Sequence, residues 1–405
     1  MRLFLFIILF TRILNAAVDL GVDRFFAEGF DVELKGKRIG IVTNQTGVNK
    51  ELRSTIDLFV EHAGPYTITA FFSPEHGIDG SAYAWEKVEE SKGPHGILVH
   101  NLMGDTRRPT EEMLKEIDVL IYDIQDIGIR PYTYATTLFY VMEEAAKKKI
   151  QVIILDRPNP MGGFLVDGPM LEDKWRSFIG YINVPYCHGM TIGELALFFN
   201  QEYGVKCSLK VIAMKGWERS MTFKDTGLTW VPTSPHIPEA DTPFYCASTG
   251  LLGELGLVNI GIGYTLPFKL VGAPWINAKE FAEALNAQKL SGVRFLPFHY
   301  RPFFGSQRGN NCQGIKIVIT NPATYRPLMI QYLILGVLKT LYPKQFEEAL
   351  AKITSSQKEL FCKASGNAAM LDWIEKEKYI AWKLIQYQHN DKEAYLVKRK
   401  QYLLY

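Results

Sequence analysis

No nucleotide-binding signature occurs in this sequence. The stretch from Gly40 to Gly47 lacks the Lys-Ser/Thr of a phosphate loop, and Gly261-Ile262-Gly263 runs on to Pro267 instead of opening a helix. A Gly-x-Ser-x-Gly elbow is also missing, which argues against an α/β-hydrolase serine mechanism. Metal chemistry has little to build on: there is no His-Glu-x-x-His run and no zinc-like Cys/His spacing. The five cysteines, Cys187, Cys207, Cys246, Cys312 and Cys362, are widely spread. They suggest no disulfide framework, and an odd number leaves at least one thiol free in an exported chain. Charge of either sign is not in excess, at +2 over 405 residues. With no basic stripe carrying interleaved aromatics, nothing argues for nucleic acid as a partner. Lys147–Lys149 reads as the basic end of a helix and Lys398–Lys400 as a solvated tail.

Long apolar runs are absent beyond the start of the chain. There, Met1-Arg2 precedes the apolar stretch Leu3–Phe10, and Ala16-Ala17 come before the first acidic residue, Asp19. A short positive start, an apolar core too brief to span a bilayer and small residues at its end describe a secretory signal over residues 1–17. A helical lead-in or a retained anchor are the alternatives, Arg12 being the residue that interrupts the apolar stretch. The reading implies a periplasmic or secreted protein with no membrane span in the mature chain.

What is present is an alternation. Lys37–Thr43, Thr67–Ala70 continuing to Ser73, Gly96–His100 (short, at an edge), Asp118–Asp123 and Gln151–Asp156 read as strands. Helical spacing separates them over 51–63, from Pro109 onward, and over 133–149, and Thr191-x-x-Glu194 opens another helix with a capping-box pattern. Near-continuous apolar strands alternating with helices predict an α/β fold with a parallel sheet covered on both faces. Beyond Trp230 the prolines at 232, 235, 238 and 243 mark a crossing or lining loop. After it come a helix over 277–290, a strand over 314–319 and an apolar helix over 325–341, read as a second, smaller α/β domain. The division is 18–238 and 239–405.

Ligands of such sheets bind beyond the C-terminal ends of the strands. Four of those ends carry polar clusters: Asn44 and Gln45; Glu75 and His76; Asp123, Gln125 and Asp126; Asp156, Arg157 and Asn159. A pocket rich in carboxylates and amides suits glycoside cleavage, the reaction that most often relies on carboxylates alone. Tyr132, Tyr134 and Trp275 could stack on sugar, although core packing is the commoner use of any one aromatic. Glu75 could be the catalytic acid or cap a neighbouring helix. His76 could orient Glu75, act as the acid itself, or be structural. Asp123 and Asp126 make a weak metal pair, Arg130 and Arg157 could pair those aspartates or grip a substrate carboxylate, and His188 is a second pocket histidine or a cap.

Five motifs then occur in order: Val42-Thr43-Asn44-Gln45-Thr46-Gly47, Ser73-Pro74-Glu75-His76-Gly77, Asp123-Ile124-Gln125-Asp126-Ile127-Gly128 with Arg130, Leu155-Asp156-Arg157-Pro158-Asn159-Pro160 and His188-Gly189-Met190-Thr191. Together the sequence resembles the NamZ-type exo-β-N-acetylmuramidases, a glycosidase family once catalogued as a domain of unknown function, through Gly272-Ala273-Pro274-Trp275 into the second domain. The resemblance implies a Rossmann-like catalytic domain followed by a smaller domain. It implies cofactor-free release of N-acetylmuramic acid from the non-reducing end of peptidoglycan muropeptides or disaccharides. The family's central acid falls on Glu75, assisted by His76. Asp123 or Asp126 would orient groups or activate water, and Arg130 or Arg157 would bind the lactyl carboxylate. Asn44, Gln45, Gln125, Tyr132, Asp156, Asn159 and His188 complete the expected substrate-binding set. The sequence departs from the family at Cys187, where Arg is frequent, and around Gly253-Glu254-Leu255-Gly256 and Gly261-Ile262-Gly263-Tyr264. A muropeptide-binding protein without turnover and a hydrolase for another acetamido sugar are the rival readings.

Overall fold

The computed structural model describes residues 17–405 apart from Gln388, so the leader over 1–17 lies outside the described residues except for its last alanine. Seven strands form the first sheet: β1 (Arg38–Thr43), β2 (Thr67–Ser73), β3 (Ser91–Lys92), β4 (Leu98–Asn101), β5 (Val119–Asp123), β6 (Gln151–Leu155) and β7 (Ser208–Ile212). Their order is β3-β4-β2-β1-β5-β6-β7, and every pair is parallel except β3 on β4. Successive side chains of the central strands leave by opposite faces. Ile39, Ile41, Ile121 and Ile153 join one core, with Phe25 and Phe59. Val42, Tyr122 and Ile154 join the other, under the helices Thr133–Lys148 and Ile192–Glu202. Two buried faces explain why these strands read as unbroken apolar runs.

Several boundaries differ from the sequence expectation. The helix expected from residue 51 begins at Thr55, because Asn49 Oδ1 accepts from Glu51 and Arg53 N–H in a turn and Ser54 caps the helix through Ile56 N–H. The helix expected at Pro109 is the single turn Glu111–Leu114, capped by Thr110. The third strand is not the edge, since β3 pairs outside it. β7 is unforeseen: Lys210 interrupts its apolar residues, as an outer strand half open to solvent permits.

The second sheet is antiparallel, in the order β8-β10-β9, from β8 (Leu270–Ala273), β9 (Val293–Tyr300) and β10 (Cys312–Ile319). It packs with the helices Thr242–Leu255, Ala278–Asn286 and Pro327–Leu341 around a separate core that also takes in Trp275, set edge-on against Tyr342. Trp275 thus serves packing, the second of its two readings. All five cysteines are buried and free. Among the described residues no helix is long and apolar enough to cross a membrane.

The end of the chain returns to the first sheet. Tyr395 O–H donates to the His188 carbonyl, Arg399 Nη1 to the Gly189 carbonyl at 2.7 Å, and Tyr405 O–H to Asp156 Oδ2 at 2.7 Å. Tyr405 also accepts from Met214 N–H, so one phenol ties the loops after β6 and β7. Tyr405→Phe leaves that amide and carboxylate each short of a partner. It should lower the unfolding free energy by about 1–3 kcal/mol in urea titrations; an unchanged midpoint would show that the tie contributes nothing.

Candidate active site

Glu75 opens the loop after β2 and is almost fully buried. Its Oε1 accepts from Trp85 N–H at 2.9 Å and its Oε2 from the Thr133 hydroxyl at 2.7 Å. Thr133 opens a sixteen-residue helix, so the carboxyl faces the positive end of a helix dipole. His76 follows with φ of +74°, and Gly77 with +78°. Left-handed backbone costs a histidine energy and costs glycine little, so this corner turns against local preference. The His76 ring is fixed by Nδ1–H donation to the Ala82 carbonyl at 2.8 Å, which leaves Nε2 as the acceptor of the neutral ring. Trp85, at φ +65°, is a second strained residue in this corner.

Asp126 lies at the end of β5. Oδ2 accepts from Gly128 N–H at 2.7 Å, while Oδ1 is buried with no partner among the described residues. Burial pushes its pKa up to about 7, against smaller opposing effects of the Gly128 and Ile127 amides. His188 Nε2 stands 3.8 Å from Asp126 Oδ2. Its Nδ1 accepts from Met190 N–H, so the ring proton sits on Nε2, facing the carboxyl. Burial, and then Arg399 and Arg130, push His188 down to about 3, so the ring is neutral.

Other expected site residues are committed to the fold. Arg157 and Asp123 form a buried pair, with Nε–Oδ1 at 2.5 Å and Nη2–Oδ2 at 2.8 Å, and Thr55 donates to the same carboxylate. Arg157 also donates to the Val48 carbonyl. Of the two readings of Arg157, pairing with aspartate is the one built. Arg130 donates to the carbonyls of Pro169 and Val184 and, across the domain boundary, to those of Ala364 and Ser365 at the C-terminus of the helix Ser355–Ser365. A cation suits that negative helix end; both Nη atoms of Arg130 are taken up by these carbonyls, while its Nε is buried without a partner among the described residues. Asp156 holds Thr191 Oγ1, Gly193 N–H and Tyr405. Asn159 links Met161 N–H to the Met190 carbonyl, Gln125 ties the Asp126 and Pro158 carbonyls, and Asn44 accepts from Thr46.

Gln45 Nε2 donates to the Pro232 carbonyl, and Tyr132 and Tyr134 donate to Thr233, so the proline-marked segment does line this rim. Between the two sheets lies a cavity of about 360 Å³, with Tyr132 and Ile129 on one side and the helix Thr242–Leu255 on the other. Cys246, Gly250 and Gly253 hollow that helix face, and a Cβ on Gly253 would meet Ile260 at 2.5 Å. His236 and Glu254 project into the cavity without a hydrogen-bond or ion-pair partner among the described residues. Burial pushes Glu254 up to about 7, and burial with nearby His76 pushes His236 down. Trp85, Thr133, His236 and Glu254 were not foreseen. Only Glu254 had a signal, since it sits in a segment where the sequence departs from the resembled family. Among the described residues no three His, Cys, Asp or Glu side chains are grouped to hold a metal ion.

Residues 39–241 match the family model of the exo-β-N-acetylmuramidase NamZ N-terminal region, and residues 244–405 that of its C-terminal region. The chain belongs to the NamZ family. The peptidoglycan β-N-acetylmuramidase NamZ of Bacillus subtilis (strain 168) is 38% identical over 389 residues, covering 96% of this chain and 91% of that one. Two crystal structures of DUF1343 family proteins from Bacteroides fragilis NCTC 9343 share the fold. One has a TM-score of 0.90 at 37% identity, the other 0.75 at 27%, each covering 96% of this chain and 99% of its own.

The raised pKa of Asp126 has a consequence for stability. The unfolded carboxyl ionises near pH 3.9 and the folded one near 7. Stability due to this group is therefore full below pH 4 and lost as pH rises to 7, by about 1.4 kcal/mol per pH unit. Asp126→Asn stays neutral and keeps an acceptor for Gly128 N–H. Relative to wild type it should gain stability steadily from pH 4 to 7 in denaturant titrations; a pH-independent difference would place the folded pKa near its ordinary value.

Proposed function

We propose that this protein is an exo-acting β-N-acetylmuramidase that removes N-acetylmuramic acid from the non-reducing end of peptidoglycan fragments. The observation that carries the reading is the cavity between the two sheets. Its volume, about 360 Å³, lies at the small end of ligand pockets and suits one sugar ring, as an exo enzyme requires. It shares Tyr132 and His236 with the corner that holds Glu75 and His76: Thr133, next to Tyr132, binds Glu75, and His236 lies near enough to His76 to interact with it.

Glu75 is the general acid. Held from two sides, its carboxyl keeps a fixed direction, and it gives its proton to the glycosidic oxygen as the C1–O bond breaks and the electron pair leaves with that oxygen. Asp126 is the second acid–base group, since Asp123 is bound to Arg157. It takes a proton from the attacking water, or from the acetamido N–H if the substrate's own carbonyl attacks C1. His188 stands behind it as a neutral donor. The apolar leader fits an enzyme that meets peptidoglycan in the periplasm or outside the cell, in cell-wall turnover.

Glu75→Gln should cut turnover of a muramic-acid disaccharide roughly 10²–10⁴-fold, and less for a chromogenic muramide whose leaving group needs no proton. An equally active variant would remove Glu75 from the chemistry. Activity on the glucosamine analogue alone would move the reading to another acetamido sugar, and an inert wild type that binds the disaccharide would make it a binding protein. Export is checked by sequencing the mature N-terminus, expected just after Ala16-Ala17; a full-length protein confined to the cytoplasm would contradict it.

A further inference from the structure

Four large aromatic rings stand exposed beside the cavity mouth: Tyr83 is 65% exposed, Trp85 50%, Phe303 68% and Phe304 49%. Two loops supply them, one from each domain. The loop after β2 is fastened to both residues of the Glu75–His76 corner, since Ala82 accepts from His76 and Trp85 N–H donates to Glu75. The loop after β9 is fastened to the cavity wall, since Phe303 N–H donates to the Gly263 carbonyl and Ser306 lines the cavity. The loops meet where the Tyr83 and Phe304 rings stack, 6.4 Å apart and 24° from parallel. The guanidinium of Arg107 lies against two rings, 4.4 Å from the centroid of Phe178 and 5.2 Å from that of Trp85. Arg107 is exposed and makes no hydrogen bond or ion pair among the described residues.

Exposed aromatic faces grouped at the mouth of a pocket mark a ligand surface more often than accident. Here they extend outward from the one-sugar cavity, so the ligand that reaches them is already attached to the sugar inside. The face of a pyranose ring carries apolar C–H groups that pack on an aromatic face, while its hydroxyls stay in water at the edge. Peptidoglycan adds carboxylates, on the lactyl group and the stem peptide, for which an unpaired arginine stacked on an indole is a suitable partner.

We propose that Tyr83, Trp85, Phe304 and Arg107 form a leaving-side glycan subsite, which binds the sugars that follow the scissile bond and makes the enzyme prefer glycans longer than a disaccharide. The proposal rests on the exo-muramidase reading for the identity of the glycan. Because the two loops come from different domains, the bound strand also bridges them.

The test uses Tyr83→Ala and Phe304→Ala, both at exposed side chains away from the acid, with Phe304→Tyr as the conservative control. Substrates are a chromogenic muramide, which has no leaving-side sugar, and a peptidoglycan tetrasaccharide. Each alanine variant should lose about tenfold in kcat/KM on the tetrasaccharide and stay within about twofold on the chromogenic muramide, while Phe304→Tyr keeps wild-type kcat/KM on both. Equal losses on both substrates, or no loss on the tetrasaccharide, would overturn the subsite. Calorimetric affinity of the Glu75→Gln protein for disaccharide and tetrasaccharide, with and without Phe304→Ala, separates the two readings. If wild type turns over neither substrate yet tetrasaccharide affinity falls about tenfold with Phe304→Ala, the subsite stands and the enzymatic reading fails. If turnover is intact and affinity does not depend on glycan length, the reverse holds.

Discussion

The ion pair between Arg157 and Asp123 is the contact on which the rim of the sheet depends. It joins the ends of β6 and β5 in the interior, where each charge alone would be costly to bury. Thr55 satisfies the carboxylate from the helix that follows β1, and the Val48 carbonyl takes a further arginine proton. Three successive strand ends are thus tied through one pair. Around it, Asp156 gathers Thr191, Gly193 and Tyr405, and Gln125 and Asn159 close the adjoining turns. The strand ends can then hold Glu75 and Asp126 in fixed directions, Glu75 through Trp85 and Thr133 and Asp126 through Gly128, with Asp126 Oδ1 left unanswered.

The polar residues of the rim therefore divide into two kinds. One kind has every strong group answered by protein, as in Asp156 and the Arg157–Asp123 pair. The other keeps something unanswered: Asn44 Nδ2, Gln45 Oε1, Asp126 Oδ1, Arg130 Nε, His188 Nε2, and the whole side chains of His236 and Glu254. Buried polar atoms are nearly always hydrogen-bonded, so the exceptions are where a substrate can supply the missing partner. The arginines differ likewise: Arg157 is answered by Asp123 and the Val48 carbonyl, Arg130 has its two Nη atoms answered and its Nε not, and Arg107 has no acidic partner among the described residues.

Strands β1, β2, β5 and β6 were legible in the sequence because burial on both faces leaves an uninterrupted apolar run. The location of the site was legible because a parallel sheet presents its loops on one rim. The roles were less so. Arg130 looks the same in sequence whether it grips a carboxylate or the end of a helix more than 230 residues later, and only the contact with Ala364 and Ser365 decides. Trp85 contributes its backbone amide to Glu75, a role any residue type could fill, so its side chain gave no hint. His236 reaches the cavity from a segment with no motif of its own, and Glu254 from one whose only signal is that it departs from the family pattern.

Chemistry and domain arrangement are coupled by the way the cavity is built. Its first wall comes from the loop that leads into the helix Thr133–Lys148, whose opening residue holds Glu75. Its second wall is a helix made shallow by Cys246, Gly250 and Gly253. A Cβ on Gly250 would come within 3.1 Å of the Tyr186 hydroxyl and one on Gly253 within 2.5 Å of Ile260, so how far this wall stands back is set by the second domain's helix and not by the loop that holds Glu75. Glu254 adds a polar group to an otherwise apolar wall, and burial pushes its pKa up to about 7. Such a carboxyl can donate to an acceptor as well as accept from a hydroxyl or amide, which suits a sugar bearing an acetamido group and a carboxylate. Of the departures from the family pattern, Gly253, Glu254 and Ile262 line the cavity on the second domain's side, while Cys187 is buried outside it.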